Sequence, residues 1–442
     1  MMRTSKTIAL CALVLAVAGG AWAELQNVEI GGSLRIRGNY YNMDSFADQS
    51  FIEQRTRLNV KGDFTSDVSV FIEMDSYDIW GEDFRSDYLR GADGRAASVD
   101  DVEMYQAYIE ARNLWGTPLS LRVGRQELSL GSEWLVGVNN AASGFWGLSF
   151  DALRLTYATD MFSVDAIAAK LAEGLGDFGE DDVDFYAVYG SYLGIEDVTL
   201  DAYWMYVRDD GVFVAGSDID LHTLGLRGSG TLGAFDFELE VAYQLGSVDD
   251  LPSACPAGFG TADTDYDALG VNSEFGYTFD VAWSPRPFVR FAYLDGGDPD
   301  HSIWSNDRDL PFNRLFSNFE YTEFIANTDE SNLLYYAAGV GVSPTESVSL
   351  VLVAALFEAD EKGPSTGFWF WKNTPDKTLG WEVGLYADYQ YSEDLVFRAG
   401  YAHFFGDDGL EGNLTALNGL ASWGGDDDDD YDYVFVEAEI SF

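Results

Sequence analysis

Beyond its first two dozen residues the chain repeats one unit, a segment of about ten residues alternating apolar and polar side chains followed by a break. Period-two alternation is the pattern of a strand with one apolar and one polar face. Such segments are read near residues 27–42, 50–62, 67–80, 101–113, 118–128, 148–157, 161–172, 182–193, 197–208, 219–230, 234–247, 268–283, 286–296, 331–343, 346–360, 377–391, 394–406 and 431–442, a count of 18. The breaks alternate in length. Short turns such as Phe64-Thr65-Ser66-Asp67, Ala158-Thr159-Asp160, Thr231-Leu232-Gly233, Ser284-Pro285-Arg286 and Tyr391-Ser392-Glu393 are separated by long connections such as 81–100, 129–147, 248–267, 297–330, 361–376 and 407–430. Short turns on one side, long loops on the other and both termini on the short side fit an even-numbered, antiparallel transmembrane β-barrel with periplasmic turns and acidic extracellular loops.

The side chains separate this reading from a soluble β-sandwich. One whole face is apolar, as in Leu121 and Val123, Leu153 and Leu155, Leu239 and Val241, Val383 and Leu385, and Val434, Val436 and Ile440; the other carries Arg, Glu, Asp, Gly and Ser. A sandwich can show this only if its apolar faces meet. Lipid outside and water inside suits the strand lengths better, as do Tyr157, Trp204, Tyr206, Trp283, Tyr293, Tyr389 and Tyr401 near strand ends, where an aromatic girdle belongs. Closing the barrel also leaves no unpaired sheet edge. Beyond residue 23 no apolar run reaches 18 residues, so helical spans are not expected.

The N-terminus carries Arg3 and Lys6, an apolar stretch from Ile8 to Ala18, and Ala21-Trp22-Ala23. This is a secretory signal peptide pattern, giving residues 1–23 as signal and 24–442 as the barrel, in the outer membrane of a Gram-negative-type bacterium. Cys11 leaves with the signal, so Cys255 alone remains and no intramolecular disulfide is expected. The formal charge of −50 excludes nucleic acid as a natural partner. The last strand, Tyr433 to Phe442, ends on an aromatic residue and resembles the signal by which barrel-assembly machinery recognises its clients.

Leu121-Arg122-Val123-Gly124-Arg125-Gln126-Glu127-Leu128-Ser129-Leu130-Gly131, followed by Phe150-Asp151-Ala152-Leu153-Arg154-Leu155, resembles the alginate export family of outer-membrane porins. Glu53-Gln54-Arg55-Thr56-Arg57-Leu58 is similar to an early strand of that family. The resemblance implies an 18-stranded channel, an electropositive constriction suited to polyuronate and a long periplasmic turn. The sequence departs from the last feature, because its periplasmic turns all read as short.

On the polar face lie Arg35, Arg37, Arg55, Arg57, Lys61, Arg122, Arg154, Arg227, Arg290 and Arg398. A guanidinium facing lipid near the midplane costs roughly 2–4 kcal/mol, which directs these side chains inward. Arginine binds carboxylates bidentately and keeps its charge, so they are candidate pore-lining, substrate-contacting residues for an anionic solute or polysaccharide. The same parity turns Glu73, Asp75, Glu110, Asp201, Asp236, Glu238, Glu240, Glu382, Asp388, Glu437 and Glu439 inward, with Glu437 and Glu439 across the closing seam from Arg35 and Arg37. The arginines then either select anions or neutralise their neighbours.

Two further readings stay open: a general diffusion porin for small nutrients, and a cation-binding surface or adhesion barrel. Asp298, Asp300, Asp426, Asp428 and Asp430 supply hard oxygen ligands for calcium on outer loops, although no twelve-residue calcium-binding loop motif is present. No other cofactor is implied. His222 and His403 face outward by parity and His301 lies in a loop, so no nucleophile and base can be assembled and an enzyme is not expected.

Overall fold

The alternation produces extended strands because each can place its apolar side chains on one face and satisfy every backbone group through its neighbours. The computed structural model describes residues 25–43, 48–81, 102–138, 145, 147–173, 182–212, 217–252, 261–297, 309–317, 319–321, 331–361, 377–407, 409 and 430–442. The strands are β1 Asn27–Met43, β2 Gln49–Thr65, β3 Val68–Ile79, β4 Glu103–Ala111, β5 Leu119–Gln126, β6 Phe150–Ala158, β7 Phe162–Glu173, β8 Asp182–Ile195, β9 Val198–Asp210 and β10 Asp218–Leu232. They continue as β11 Phe235–Pro252, β12 Thr261–Tyr277, β13 Arg286–Leu294, the two-residue β14 Asp309–Leu310, β15 Leu333–Thr345, β16 Val348–Glu358, β17 Thr378–Gln390, β18 Leu395–Gly406 and β19 Asp430–Ser441.

Apart from β14, each strand pairs antiparallel with its neighbours, and β13 pairs directly with β15. The β1–β19 ladder closes the wall, with Arg35 opposite Glu439 and Arg37 opposite Glu437. The result is a closed 18-stranded antiparallel barrel. Val123, Leu226, Leu385 and Val436 stand exposed on its outer face, where lipid covers them. No helix among the described residues is long and apolar enough to cross a membrane.

One hairpin departs from the sequence reading. The strand expected over 268–283 spans Thr261–Tyr277, and β11 extends to Pro252. Asp265 and Asp267 stand outward here, so the strand continues without an apolar stripe to reveal it. At the other end, Trp283 and Ser284 take positive φ (69° and 42°) and Pro285 lacks an N–H, so the ladder stops earlier.

The interior is not empty. Leu128, Leu130, Trp134, Leu135, Val136 and Phe145 from the loop between β5 and β6 are buried, as are Phe312 and Tyr321 from the segment after β14. All but Phe145 join one apolar cluster with inward-facing Phe185, Phe288, Tyr335 and Phe357 of the wall, and Phe145 lies against Arg35 and Arg37. Two long loops therefore fold into the barrel from the side opposite the termini.

Candidate functional site

The lumen is built from the polar faces of the strands and from these two loops. The loops hold each other through main-chain contacts: Gly137 N donates to Phe316 O at 2.9 Å and Phe316 N to Leu135 O at 2.8 Å. The second loop is held to the wall where Gln244 Nε2 donates to Asn313 O at 2.6 Å and Asn313 N to Gln244 Oε1 at 2.7 Å. Trp134 Nε1 donates to the Tyr321 hydroxyl at 2.9 Å, and the Trp134 and Phe312 rings stack at 5.6 Å. Every polar group in this list has a partner, as burial demands. The outer half of the lumen is thus narrowed by an apolar plug.

The ten basic residues expected to line the lumen lie on its polar face in two settings. Arg35, Arg37, Arg55 and Arg57 are buried together on the wall of β1 and β2. Arg35 Nε and Arg37 Nε both donate to Glu437 Oε2, each at 2.8 Å, and Arg398 Nη1 donates to Glu437 Oε1 at 2.6 Å. One carboxylate thus serves three guanidiniums. Arg35 also stands directly opposite Arg55 across the ladder, a like-charge pairing that is unfavourable without compensation. Arg57 Nε donates to Asp75 at 3.0 Å, and Glu73 lies 3.8 Å from Arg57 Nη1.

The loop between β5 and β6 covers this ledge. Arg55 Nη1 donates to Phe145 O at 2.9 Å, the Phe145 ring lies 4.3 Å below the Arg35 guanidinium, and Arg57 Nη1 donates to Glu127 at 3.2 Å. Tyr105 adds its ring 4.0 Å from the Arg57 guanidinium and its hydroxyl to Glu127 at 2.7 Å. Cation–π contact and charge-assisted hydrogen bonds strengthen when shielded from water.

The second setting faces water. Lys61, Arg122, Arg154, Arg290 and Arg398 have side chains 22 to 35% exposed in the half nearer the termini. Arg122 pairs with Glu110 at 2.8 Å, Arg154 with Asp165 at 2.8 Å, Arg290 with Glu274 at 2.6 Å, Arg398 with Glu439 at 2.6 Å, and Lys61 with Glu29 at 3.4 Å. Arg227 sits deeper, bonded to Asp201 at 2.8 Å and Glu238 at 3.0 Å. Sequence reasoning missed Arg286, which it placed in a turn; its guanidinium bridges Asp236 at 3.0 Å and Glu274 at 2.6 Å.

The loop residues Phe145 and Glu127 and the wall residue Tyr105 were also missed. A signal for the loop was present: Leu128, Leu130, Trp134, Leu135 and Val136 are too apolar for a solvated outer loop.

The motif around Arg122 has a structural task. Gln126 Nε2 donates to Ala152 O at 2.9 Å, Glu127 turns to Arg57, and Gly131 at φ 60° makes the bend. A Cβ at Gly131 would collide with the Tyr189 hydroxyl. Arg125 and Asp151 face outward and form a bidentate pair, both bonds 2.9 Å. His222 and His403 are on the outer face, against Trp204 and Tyr206 in one case and Asp432 and Phe405 in the other.

Asp298, Asp300, Asp426 and Asp428 lie outside the described residues, as do residues 1–23 and His301. Asp430 begins β19, where its carboxylate lies 3.8 Å from His403. Among the described residues no three metal-ligating side chains come together.

Comparison with solved structures places the fold among outer-membrane porins. OccK8 (OprE) of Pseudomonas aeruginosa superposes with a TM-score of 0.55 at 16% identity, over 94% of this chain and 98% of that one. OccD3 (OpdP) of the same organism gives 0.56 at 12% identity over 95% and 93%. OccAB4 of Acinetobacter baumannii gives 0.55 at 10% identity over 96% and 100%. At such identities the likeness is one of fold. No curated protein sequence matches. The alginate export family model matches residues 26–411. With a closed 18-stranded wall, a charged inner lumen and that match along nearly its whole length, this chain belongs to the alginate export family and is an outer-membrane β-barrel channel for polar solutes.

Proposed function

We propose that the channel passes anionic, polyhydroxylated solutes of the uronate class, with the wall of β1, β2, β18 and β19 as the face that receives their carboxylates. The observation that carries this reading is the sharing of Glu437 among Arg35, Arg37 and Arg398. Three guanidiniums crowd around this one carboxylate, and guanidinium geometry matches a carboxylate bidentately, so the seam presents a solute carboxylate with a cluster of cationic partners. Family membership supports the same class. Phe145 O and Glu127 already occupy Arg55 and Arg57 as neutral and acidic acceptors, so a solute carboxylate competes with the loop for the ledge.

A specific observation favours a second reading, a general diffusion porin. Lys61, Arg122, Arg154, Arg227, Arg286, Arg290 and Arg398 each pair with at least one carboxylate, which makes them braces of the wall. The reversal potential in a KCl gradient separates the two. Selective passage predicts anion preference that persists at high salt, where exposed loop charges are screened, and that falls in Arg55→Ala with Arg57→Ala. Cation preference unchanged by those substitutions assigns the arginines to bracing alone. In either case we read the protein as a channel without catalysis, consistent with histidines on the lipid side. We read β19 as the strand offered to barrel-assembly machinery.

A further inference from the structure

Away from the arginine ledge, a cavity of about 330 Å³ lies between the first inward loop and the β11–β12 wall. It is lined by Ser132, Asp236, Glu238, Asn272, Glu274 and Phe319. The volume is at the lower end for small-molecule sites, the size of a single ring. Each of its three carboxylates accepts from an arginine. Arg227 bonds Glu238 at 3.0 Å, Arg286 bonds Asp236 at 3.0 Å and Glu274 at 2.6 Å, and Arg290 bonds Glu274 at 2.6 Å. Their engagement by guanidiniums reduces what a free cation gains here. An anion is disfavoured because the acidic oxygens line the space.

Carboxylates held this way still offer lone pairs to hydroxyl groups.

Asn272 is the telling residue. It is 4% exposed, points to the lumen from β12, and makes no hydrogen bond through its side chain among the described residues. Neither ladder neighbour serves it: Ala292 on β13 has no polar group, and Glu240 on β11 turns instead to Tyr203 at 2.7 Å and Ser132 at 3.0 Å. Its amide opens onto the cavity, where it can donate to and accept from whatever enters. An amide that can both donate and accept, fixed acceptors around it and the aromatic side chain of Phe319 on the boundary form a set suited to a ring with hydroxyls on its rim and C–H groups on its faces.

We propose that this cavity is a binding site for a neutral polyhydroxylated ring, a sugar or cyclic polyol, with Asn272 as the residue that reads its hydroxyls. The site goes beyond the anionic reading of the ledge, and either can fail while the other stands.

The test uses the full barrel in a planar bilayer with D-glucose and myo-inositol as neutral probes, putrescine as a dication and D-glucuronate as an anion. Saturable interruptions of the current by glucose or inositol are expected, with the apparent dissociation constant about tenfold weaker in Asn272→Leu, the loss of roughly one hydrogen bond. The glucuronate response should not move with that substitution. Phe319→Ala, from the loop side, should weaken the neutral probes too and covers the case in which the strand variant fails to assemble. The proposal is overturned by neutral probes that act equally on wild type and both variants, by no saturable interruption, or by interruptions from putrescine alone that depend on Asn272.

Discussion

The two halves of the lumen are made by the same strands with the same inward parity, yet they differ in kind. Toward the termini the inward residues are Arg122, Arg154, Arg290 and Arg398 with their carboxylates, partly open to water. Toward the loops they are Phe185, Leu333, Tyr335 and Phe357, sealed under Trp134 and Phe312. A charged lining needs water or ion pairs to offset its desolvation, whereas an apolar lining needs a protein partner. The position of the plug is therefore written in the wall as well as in the loop. On β8, β15 and β16 the inward residues turn apolar at the height where the loops enter.

The strongest way to break this comparison is to remove the plug's centre. Trp134→Ala deletes a fully buried ring together with its bond to Tyr321. Truncation of a large aromatic costs about 3–5 kcal/mol of local packing, more than the contacts between two loops can absorb without rearrangement. Single-channel conductance should rise several-fold while the barrel remains closed, since no strand pairing depends on Trp134. An unchanged conductance would mean that solutes already pass beside the plug.

Next in size is the seam. Glu437→Gln leaves Arg35, Arg37 and Arg398 without the anion they share, and breaking a buried ion pair by removing one partner costs about 3 kcal/mol or more. Its test is the denaturant midpoint of the detergent-solubilised barrel, expected to fall well below that of Glu439→Gln. Glu439 is part-exposed and bonds Arg398, which Glu437 also holds, so its loss should matter less. Equal midpoints would show that the cluster is solvated and that the ledge is not the sealed structure drawn above.

These two regions were unequally legible in the sequence. Parity placed Arg35 and Arg37 against Glu439 and Glu437, because strand alternation and closure fix both the face and the neighbour. Parity also turned His222 outward. It could not show that Phe145 would lie on those arginines, since a loop of 129–147 has no period from which a direction can be read, and even its bond to Arg55 joins residues 90 positions apart. Arg286 was missed for a different reason: it reads both as the end of the Ser284-Pro285-Arg286 turn and as the first residue of the strand at 286–296, and at that junction it is given no face. The motif containing Arg122 suggested a pore residue, and most of its side chains instead hold the re-entrant loop. A conserved-looking pattern of charges and glycines does not by itself distinguish a site from the bend that supports one.

The smallest expected effect separates two arginines of that same motif. Arg122 faces the lumen and Arg125, three residues on, faces outward in a bidentate pair with Asp151. A charged side chain on the lipid face costs roughly 2–4 kcal/mol at the midplane and about 0–1 kcal/mol near the interface. Arg125 lies one residue from the loop end of β5 and Asp151 one residue into β6, with both side chains about half exposed, so the pair belongs at the interface. An exposed ion pair there contributes at most about 1 kcal/mol. Arg125→Ala should therefore lower the denaturant midpoint only slightly, and should leave the reversal potential unchanged because the side chain does not see the lumen. Arg122→Ala should do the reverse, shifting the reversal potential by leaving Glu110 with Arg112 alone. A large destabilisation from Arg125→Ala would place the pair within the hydrocarbon, and the membrane would then sit higher on the barrel than the aromatic girdle indicates.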